Sequence, residues 1–347
     1  MEAIVLHGGQ GTRLRPLTHT GPKQLIKVAG KPVSQWVIEQ LKKANISDII
    51  MILGDNNPQK VVEYYGDGSK FEVKIKYIYQ GKARGLADAI YRAKNLVGEK
   101  FLVYLGDNIV PYNLSKLVDF KGSASILLAK VQNPYRFGVA IIKEGKIAKL
   151  IEKPKEPISD YALVGVYAFT REIFDVIENL KPSPRNELEI TDAIQGLLDR
   201  NREIYYDIVD GWWKDTGTPE DILEANMVLL DEFNQRSIKG ISNGSSIDGR
   251  VTVEEGAQVF NSRVIGPTFI GYNSIIKDSY IGPYTMIGNS CNIENSDIEN
   301  SVILDGSNIS GVSLRDSLIG QSSKILRINK RPLAMRFIIG ERSSLEV

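Results

Sequence analysis

The residues whose types and spacing could bind phosphate lie just after the first apolar run of the chain. Gly8, Gly9 and Gly11 fall within four positions, and Thr12 and Arg13 follow directly. Glycines let consecutive backbone N–H groups approach phosphate oxygens, and an arginine adds a bidentate positive fork. This stretch therefore predicts a loop that binds a polyanion.

The charge distribution around this loop supports the same interpretation. No acidic residue occurs between Glu2 and Glu39, whereas five Arg and Lys residues do, and one of them, Lys23, lies in a Pro-Lys-Gln-Leu sequence. A dinucleotide fingerprint would need glycine where Leu14 stands, and a P-loop would need Gly-Lys-Ser/Thr after the gap. A glycine-rich surface turn without function would leave the basic residues unexplained.

Two aspartates further along the chain could hold a divalent cation. Asp107 lies in Gly-Asp-Asn at the end of a predicted strand, where open α/β sheets place ligand groups. Asp215 lies in Trp-Lys-Asp-Thr-Gly-Thr. Carboxylates suit Mg²⁺, which also takes oxygens from substrate phosphates. Taken alone, Gly-Asp-Asn is equally typical of a plain strand-ending turn, and the alternative role of the Asp215 segment is to support the turn before the helix at Glu220.

Two weaker patterns lie between these aspartates. Gln80 offers an amide that could pair with a base edge, and Gly85 permits close approach to the face of a base. Glu152 offers an acceptor for sugar hydroxyls beside the cation of Lys153. A solvated Glu-Lys pair before a proline is common, so neither pattern identifies a ligand alone.

The elements that must position these residues fall into two regions. Over residues 1–238, short apolar runs alternate with segments of helical period, which predicts an α/β domain with a Rossmann-like, mostly parallel sheet. The predicted strands are 3–6, 48–53, 73–79, 101–105, 124–130, 139–142 and 162–169. The predicted helices are 33–44, 59–65, 87–96, 172–180, 190–199 and 220–234.

The second region repeats a short apolar period. From Ile247 to Ile325, Ile, Val or Leu recurs every five or six residues, which predicts a left-handed parallel β-helix over 239–347. Three hexapeptides form one coil, so this stretch should contain about four coils. The segment from Lys330 onward is a candidate cap, and an antiparallel sandwich is the alternative fold.

The length, net charge and cysteine content of the chain limit the classes of partner and the cellular location that we expect. A length of 347 residues favours two domains, and a net charge of +1 gives no general reason to expect nucleic acid or an anionic membrane. The single cysteine, Cys291, excludes an intrachain disulfide. No signal peptide or membrane span is apparent, so the expected location is the cytoplasm.

Six motifs in this order resemble those of the nucleotide-sugar pyrophosphorylases, in particular the long-form glucose-1-phosphate thymidylyltransferases. The resemblance covers nearly the whole chain. The motifs lie at residues 8–14, 22–25, 106–108, 152–154, 187–192 and 213–218.

This resemblance implies an enzyme that converts dTTP and glucose 1-phosphate into dTDP-glucose and pyrophosphate with Mg²⁺, and works as a homo-oligomer. It implies that the glycine-rich loop, with Arg13 and Lys23, binds the triphosphate, that Asp107 and Asp215 hold the metal, and that Gln80 and Gly85 recognise the base. The residues implied for the sugar and its phosphate are Gly138, Glu152, Lys153, Tyr167 and Arg185.

Three alternatives stay open at this stage. Thymine and uracil differ by one methyl group, which discriminates by only about 1 to 3 kcal/mol, so the preferred nucleotide could be UTP. A β-helix that acetylates amino sugars would commonly use a histidine base, yet no histidine follows His19. A non-catalytic sugar-nucleotide-sensing subunit would be marked by degenerate phosphate or metal residues, and none is degenerate here. The β-helix is therefore interpreted as an assembly or regulatory module.

Overall fold

The structure, a computed structural model, describes residues 1–327. The segment proposed as a cap lies outside the described residues. The chain forms two compact units, one of Met1–Gln10 with Ser34–Asp215 and the other of Gly11–Val33 with the chain from Thr216 onward.

Up to residue 215, helices separate many of the strands, but the four strands between residues 124 and 170 follow one another without an α-helix between them. The strands are β1 (Glu2–His7), β2 (Lys27–Val28), β3 (Lys31–Pro32), β4 (Asp48–Gly54), β5 (Lys74–Gly81), β6 (Lys100–Leu105), β7 (Asn108–Ile109), β8 (Ala124–Lys130), β9 (Gly138–Lys143), β10 (Lys146–Glu152), β11 (Tyr161–Thr170), β12 (Ile204–Ile208) and β13 (Lys214–Asp215). The α-helices are α1 (Val33–Lys43), α2 (Pro58–Tyr65), α3 (Leu86–Tyr91), α4 (Leu114–Val118), α5 (Glu172–Ile177), α6 (Ile190–Asp199) and α7 (Pro219–Phe233).

The first unit is built on a nine-stranded mixed sheet. Its main path runs β10-β9-β11-β6-β1-β4-β5, and β8 and β12 continue beside β11. Strands β4 and β6 flank β1 in parallel, and β11 runs antiparallel to β6. The central strands are continuous apolar runs because both faces of the sheet are covered.

The register of the parallel strands explains why the segments with predicted functional residues lie at the same edge of the sheet. His7 is level with Leu53 of β4, and Leu6 is level with Leu105 of β6. The segments that follow β1, β4 and β6 therefore leave the sheet at one edge, the usual ligand edge of such sheets.

All seven predicted strands and all six predicted helices in this region are confirmed. The strand ends agree within two residues, but the helices predicted at 87–96 and 172–180 end earlier, at Tyr91 and Ile177. The pattern missed β10 and β12, which carry charged or hydroxyl-bearing side chains and lie at the ends of the sheet.

The second region is the predicted parallel β-helix. Its strands are β14 (Ser237–Ile238), β15 (Ile241–Asn243), β16 (Ser246–Asp248), β17 (Val251–Val253), β18 (Gln258–Phe260), β19 (Arg263–Ile265), β20 (Thr268–Ile270), β21 (Ile275–Lys277), β22 (Tyr280–Ile281), β23 (Thr285–Ile287), β24 (Asn292–Glu294), β25 (Asp297–Glu299), β26 (Val302–Ile303), β27 (Asn308–Ser310), β28 (Ser313–Arg315), β29 (Leu318–Ile319) and β30 (Lys324–Leu326).

These strands form three ladders of six, six and five strands, with parallel pairing throughout. The repeating Ile and Val residues stack in a dry core, so the left-handed β-helix class is confirmed and the antiparallel sandwich was wrong. The predicted number of about four coils agrees with the register, in which Ile247, Val264, Ile281, Ile298 and Leu314 lie level on successive coils 16 or 17 residues apart.

Within residues 1–327, no helix combines the length and the apolar character needed to cross a membrane.

Candidate active site

A two-stranded ribbon brings the two predicted metal ligands to neighbouring positions. Strand β13 pairs antiparallel with β7, and Asp215 lies opposite Asn108, the residue after Asp107. The Trp213 indole Nε1 donates a hydrogen bond to Asn108 Oδ1 at 2.7 Å, and Asn108 Nδ2 donates to Asp107 Oδ1 at 2.9 Å. Asn108 therefore orients the Asp107 carboxylate on the ribbon that also carries Asp215.

This ribbon fits a magnesium ion that is carried partly by its substrate. Among residues 1–327, no three or more His, Cys, Asp or Glu side chains form a group that could hold a metal. Mg²⁺ is commonly held by one or two carboxylates, with phosphate oxygens and water as its other ligands. The pair Asp107 and Asp215 matches that requirement in number and chemistry.

The carboxyl ends of β1, β4 and β5 converge on Gln80. A Cβ atom placed on Gly8 would lie 3.1 Å from Gln80 Oε1, and one placed on Gly54 would lie 2.5 Å from the Gly8 carbonyl oxygen. Gln80 Nε2 donates a hydrogen bond to the Gly85 carbonyl oxygen at 3.2 Å. Gly8, Gln80 and Gly85 are thus brought together, and the role of Gln80 and Gly85 in binding a base stays a prediction.

Gly85 must be glycine for a local reason. Its φ is +108°, and a Cβ atom there would lie 2.3 Å from the Leu188 carbonyl oxygen. A side chain at this position would force the chain away from Leu188 and from Gln80.

The residues predicted for the sugar also form one cluster. Glu152 Oε2 accepts a hydrogen bond from Thr191 Oγ1 at 2.6 Å, and Glu152 Oε1 accepts one from Arg185 at 3.3 Å. A Cβ atom on Gly138 would lie 2.5 Å from Thr191 Oγ1 and 3.0 Å from Glu152 Oε2, so a glycine there leaves room for this pair. The carboxylate of Glu152 is therefore held by two donors beside a backbone without a side chain.

Burial and the negative charge of Glu152 shift the pKa values of neighbouring groups in this cluster. Burial raises the pKa of Tyr167, and the negative charge of Glu152 adds to that rise. Burial likewise raises the pKa values of Glu189 and Asp192, again with a contribution from Glu152. Arg185 forms ion pairs with Glu152, Glu187 and Glu189, so part of its positive charge is already balanced.

We expect Glu152→Gln to weaken the use of the sugar phosphate. The change keeps the shape of the side chain but removes its charge, and a hydrogen bond to a charged group is worth about 1.5 to 3 kcal/mol, or roughly 10- to 100-fold in kcat/KM. Steady-state kinetics with varied sugar 1-phosphate measures this loss, while the KM for the nucleotide should stay near the wild-type value. The matched control is Glu156→Gln, because Glu156 is exposed on the same segment. Equal kinetics for Glu152→Gln and the control would contradict the assignment.

In the second unit, short turns order the phosphate-loop residues. Gly11 has a φ of +62°, Thr18 Oγ1 donates to its carbonyl oxygen at 2.7 Å, and a Cβ atom on Gly11 would lie 3.2 Å from Lys23 Cβ. Leu14 is fully buried, whereas Arg13 is exposed. The loop thus brings Gly11 and Lys23 together and presents Arg13 to solvent.

The segment that follows this loop is anchored on the β-helix and on α7 through Lys27 and Ala29. Lys27 Nζ lies 2.6 Å from Asp305 Oδ2, and both side chains are partly buried. Asn226 Oδ1 accepts a hydrogen bond from the Ala29 backbone at 2.9 Å, and Asn226 Nδ2 donates to the Tyr284 carbonyl oxygen at 2.8 Å. The β-helix therefore supports the segment that carries the basic residues, besides any role in assembly.

We expect Asp305→Asn to raise the KM for the triphosphate by about 3- to 10-fold, because losing the charged partner of Lys27 loosens the loop by roughly 1 kcal/mol. Nucleotide-dependent kinetics would measure the change, with Asp248→Asn, an exposed aspartate of β16, as the control. A lower KM would show instead that Asp305 competes with phosphate for Lys27, and an unchanged KM would contradict the anchoring role.

Comparison with known proteins identifies the class. The Nucleotidyl transferase family profile matches residues 2–232, and the chain belongs to this family. It is 42% identical to the glucose-1-phosphate thymidylyltransferase of Streptomyces griseus over 100% of this chain and 99% of the relative. It is 43% identical to the low-salt glycan biosynthesis nucleotidyltransferase Agl11 of Haloferax volcanii over 100% of both chains.

One solved structure is similar to this chain in fold as well as in sequence. It is a candidate glucose-1-phosphate thymidylyltransferase from Bacillus anthracis in complex with a sucrose, with a TM-score of 0.62 and 39% identity. The match covers 66% of this chain and 94% of the other. The resemblance drawn from the six motifs is therefore confirmed.

The motifs contain the predicted phosphate-loop and metal residues and Glu152, but they do not indicate several of their partners. Asn108 and Trp213 belong to recognised motifs, yet only the pairing of β7 with β13 reveals their hydrogen bond. Thr191 also lies within a motif, and its bond to Glu152 crosses 39 residues of sequence. No local signal predicts such contacts. Lys153, with a φ of +41°, is exposed, and its contribution stays a prediction.

Proposed function

We propose that this chain transfers the thymidylyl group of dTTP to glucose 1-phosphate and releases pyrophosphate. The observation that carries the proposal is the full-length similarity to glucose-1-phosphate thymidylyltransferases. The ribbon with Asp107 and Asp215 supports it, because nucleotidyl transfer from a triphosphate commonly needs a divalent ion.

The proposed reaction is an in-line displacement. An oxygen of the sugar phosphate forms a bond to the α-phosphorus of the nucleotide, and the bond to the bridging oxygen of the β-phosphate breaks, so pyrophosphate leaves with that electron pair. A phosphate monoester is already nucleophilic near neutral pH, so no covalent protein intermediate and no histidine base are needed. The protein must position two anions and offset their charge.

Different groups of residues bind the triphosphate, the base, the sugar and the phosphate of the sugar. Gly8, Gly9, Gly11 and Thr12 offer backbone donors to the triphosphate, and Arg13 and Lys23 offset the charge that develops on the α-phosphate. Gln80 and Gly85 bind the pyrimidine. Gly138, Glu152 and Tyr167 form the sugar pocket, and Lys153 with Arg185 supplies positive charge for the phosphate of the sugar.

Asp107 and Asp215 would hold Mg²⁺. When bound, this ion neutralises charge on the phosphate oxygens during the displacement. The oriented carboxylate of Asp107 supports this role, since Asn108 fixes its position before any ion binds. We further propose that the enzyme works in the cytoplasm as a homo-oligomer, with the β-helix contributing to assembly.

A matrix of nucleotides and sugar phosphates tests the proposal. We expect dTTP with glucose 1-phosphate to give the highest kcat/KM among dTTP, UTP, CTP, ATP and GTP, read by pyrophosphate release with Mg²⁺. A preference for UTP would instead identify a uridylyltransferase. Pyrophosphate release with no pair would overturn the enzymatic assignment and favour a sensing subunit.

An acetyltransferase activity is the second candidate, because some relatives are bifunctional. The chain is 38% identical to the bifunctional protein GlmU of Methanocaldococcus jannaschii over 93% of this chain and 78% of the relative. Acetyl-coenzyme A with glucosamine 1-phosphate tests this activity. We expect no turnover, since no histidine follows His19 in the sequence.

A further inference from the structure

The side-chain amide of Gln80 has a fixed orientation. Gln80 is 7% exposed, and its Nε2 donates to Asp88 Oδ2 at 3.0 Å and to the Gly85 carbonyl oxygen at 3.2 Å. An ionised carboxylate and a backbone carbonyl can only accept hydrogen bonds, so the group that faces both must be the NH₂ of the amide. Both hydrogens of Gln80 Nε2 are therefore used.

The other end of the amide is left as an acceptor. No hydrogen bond within residues 1–327 uses Gln80 Oε1, and this oxygen lies 3.1 Å from the position a Cβ on Gly8 would occupy. Gly8 has no side chain, so the oxygen faces the corner where β1, β4 and β5 end. A ligand that reaches Gln80 there meets an acceptor and no donor.

Asp88 is well placed to impose this orientation. It is 8% exposed on α3, and the Arg92 guanidinium lies 3.6 Å from its second oxygen, Oδ1. The carboxylate thus has a cation on one side and the Gln80 amide on the other. Sequence motifs gave no role to Asp88, because its partner is a side chain eight residues earlier on a different element.

We propose that Asp88 is a positioning residue that makes Gln80 an acceptor only and thereby selects pyrimidines that carry a hydrogen on N3. Thymine and uracil present N3–H as a donor, whereas N3 of cytosine is an acceptor and would face the Gln80 oxygen without a hydrogen. This inference rests on the proposed function, since it assigns the base specificity of the same reaction.

The test is Asp88→Asn, which replaces an obligate acceptor by an amide that can also donate. The introduced asparagine is close in size to the native aspartate, and its Nδ2 can donate to Gln80 Oε1. Only the Gly85 carbonyl oxygen then still favours the native orientation, so the turned Gln80 amide, with its nitrogen toward the base, becomes more populated. We expect the ratio of kcat/KM for dCTP to that for dTTP to rise by at least about 10-fold. Asp175→Asn, an exposed aspartate on α5, should keep the wild-type ratio.

Two further measurements keep the test decisive. If Asp88→Asn unfolds, Asp88→Ala should also raise the dCTP to dTTP ratio, because it removes one of the two acceptors that hold the Gln80 nitrogen. Calorimetric titration should show a change in the same direction in the ratio of the binding constants for dCTP and dTTP. An unchanged ratio in a folded, active variant would overturn the inference while leaving the proposed function intact. A wild-type protein inactive with every nucleotide would overturn both.

Discussion

Replacing either aspartate of the β7–β13 ribbon by alanine should lower kcat/KM for dTTP and glucose 1-phosphate by roughly 10²- to 10³-fold, the usual cost of losing one electrostatic contact in a transition state. Asp215 lies opposite Asn108 on this ribbon, and Asp107 directly precedes Asn108, so the two aspartates are expected to serve the same ion. The double variant should therefore lose little more than the worse single variant, because residues that act as a unit are not additive.

Pyrophosphate-release kinetics over a range of Mg²⁺ concentrations would measure this loss. Asp175→Ala is the matched control, since its side chain is exposed on α5, and thermal melts should show that all variants remain folded. Near-native rates for either Asp107→Ala or Asp215→Ala would show that the ribbon does not hold the metal.

Removing the positive charge of the phosphate loop should have a comparable effect. We expect Arg13→Ala and Lys23→Ala each to lower kcat by roughly 10²- to 10³-fold, because each is proposed to stabilise charge that grows on the α-phosphate. Arg13 is exposed, so its replacement should change the free energy of unfolding by less than about 0.5 kcal/mol.

Single-turnover rates at saturating dTTP would measure this effect separately from binding. Arg263→Ala and Lys60→Ala serve as controls, since both side chains are exposed outside the loop. A rise in KM with unchanged kcat would mean that Arg13 and Lys23 bind the ground state only, which would contradict their catalytic assignment.

The fold could be predicted wherever the buried apolar residues recur in the sequence at a regular spacing. The apolar runs of β1 and β6 and the repeated Ile and Val of the β-helix are buried because each lies between two packed layers or inside a coil. Strands β10 and β12 escaped prediction, since charged residues and tyrosines interrupt their apolar residues without a regular period.

The candidate site could be predicted only as separate segments. Gly8 and Asp107 end neighbouring strands, so their segments could be placed at one sheet edge from the alternation of strands and helices. The pairing of Asp215 with Asn108 depends on a ribbon between segments more than one hundred residues apart, and no local pattern specifies it.

The contact between the β-helix and the segment after the phosphate loop could not be predicted from the sequence either. Lys27 belongs to a basic cluster whose charge suggests phosphate, yet in the folded chain it pairs with Asp305, 278 residues later. Sequence alone cannot distinguish a lysine that binds a ligand from one that anchors its loop. Only the three-dimensional arrangement separates the two roles.

The central claim is that this protein transfers a nucleotidyl group, and isotope transfer tests it most directly. With dTTP labelled at the α-phosphate, glucose 1-phosphate and Mg²⁺, we expect the label to appear in dTDP-glucose with one pyrophosphate released per labelled product, and a chelator to abolish the transfer. Binding of dTTP without any label passing to the sugar phosphate would contradict the account.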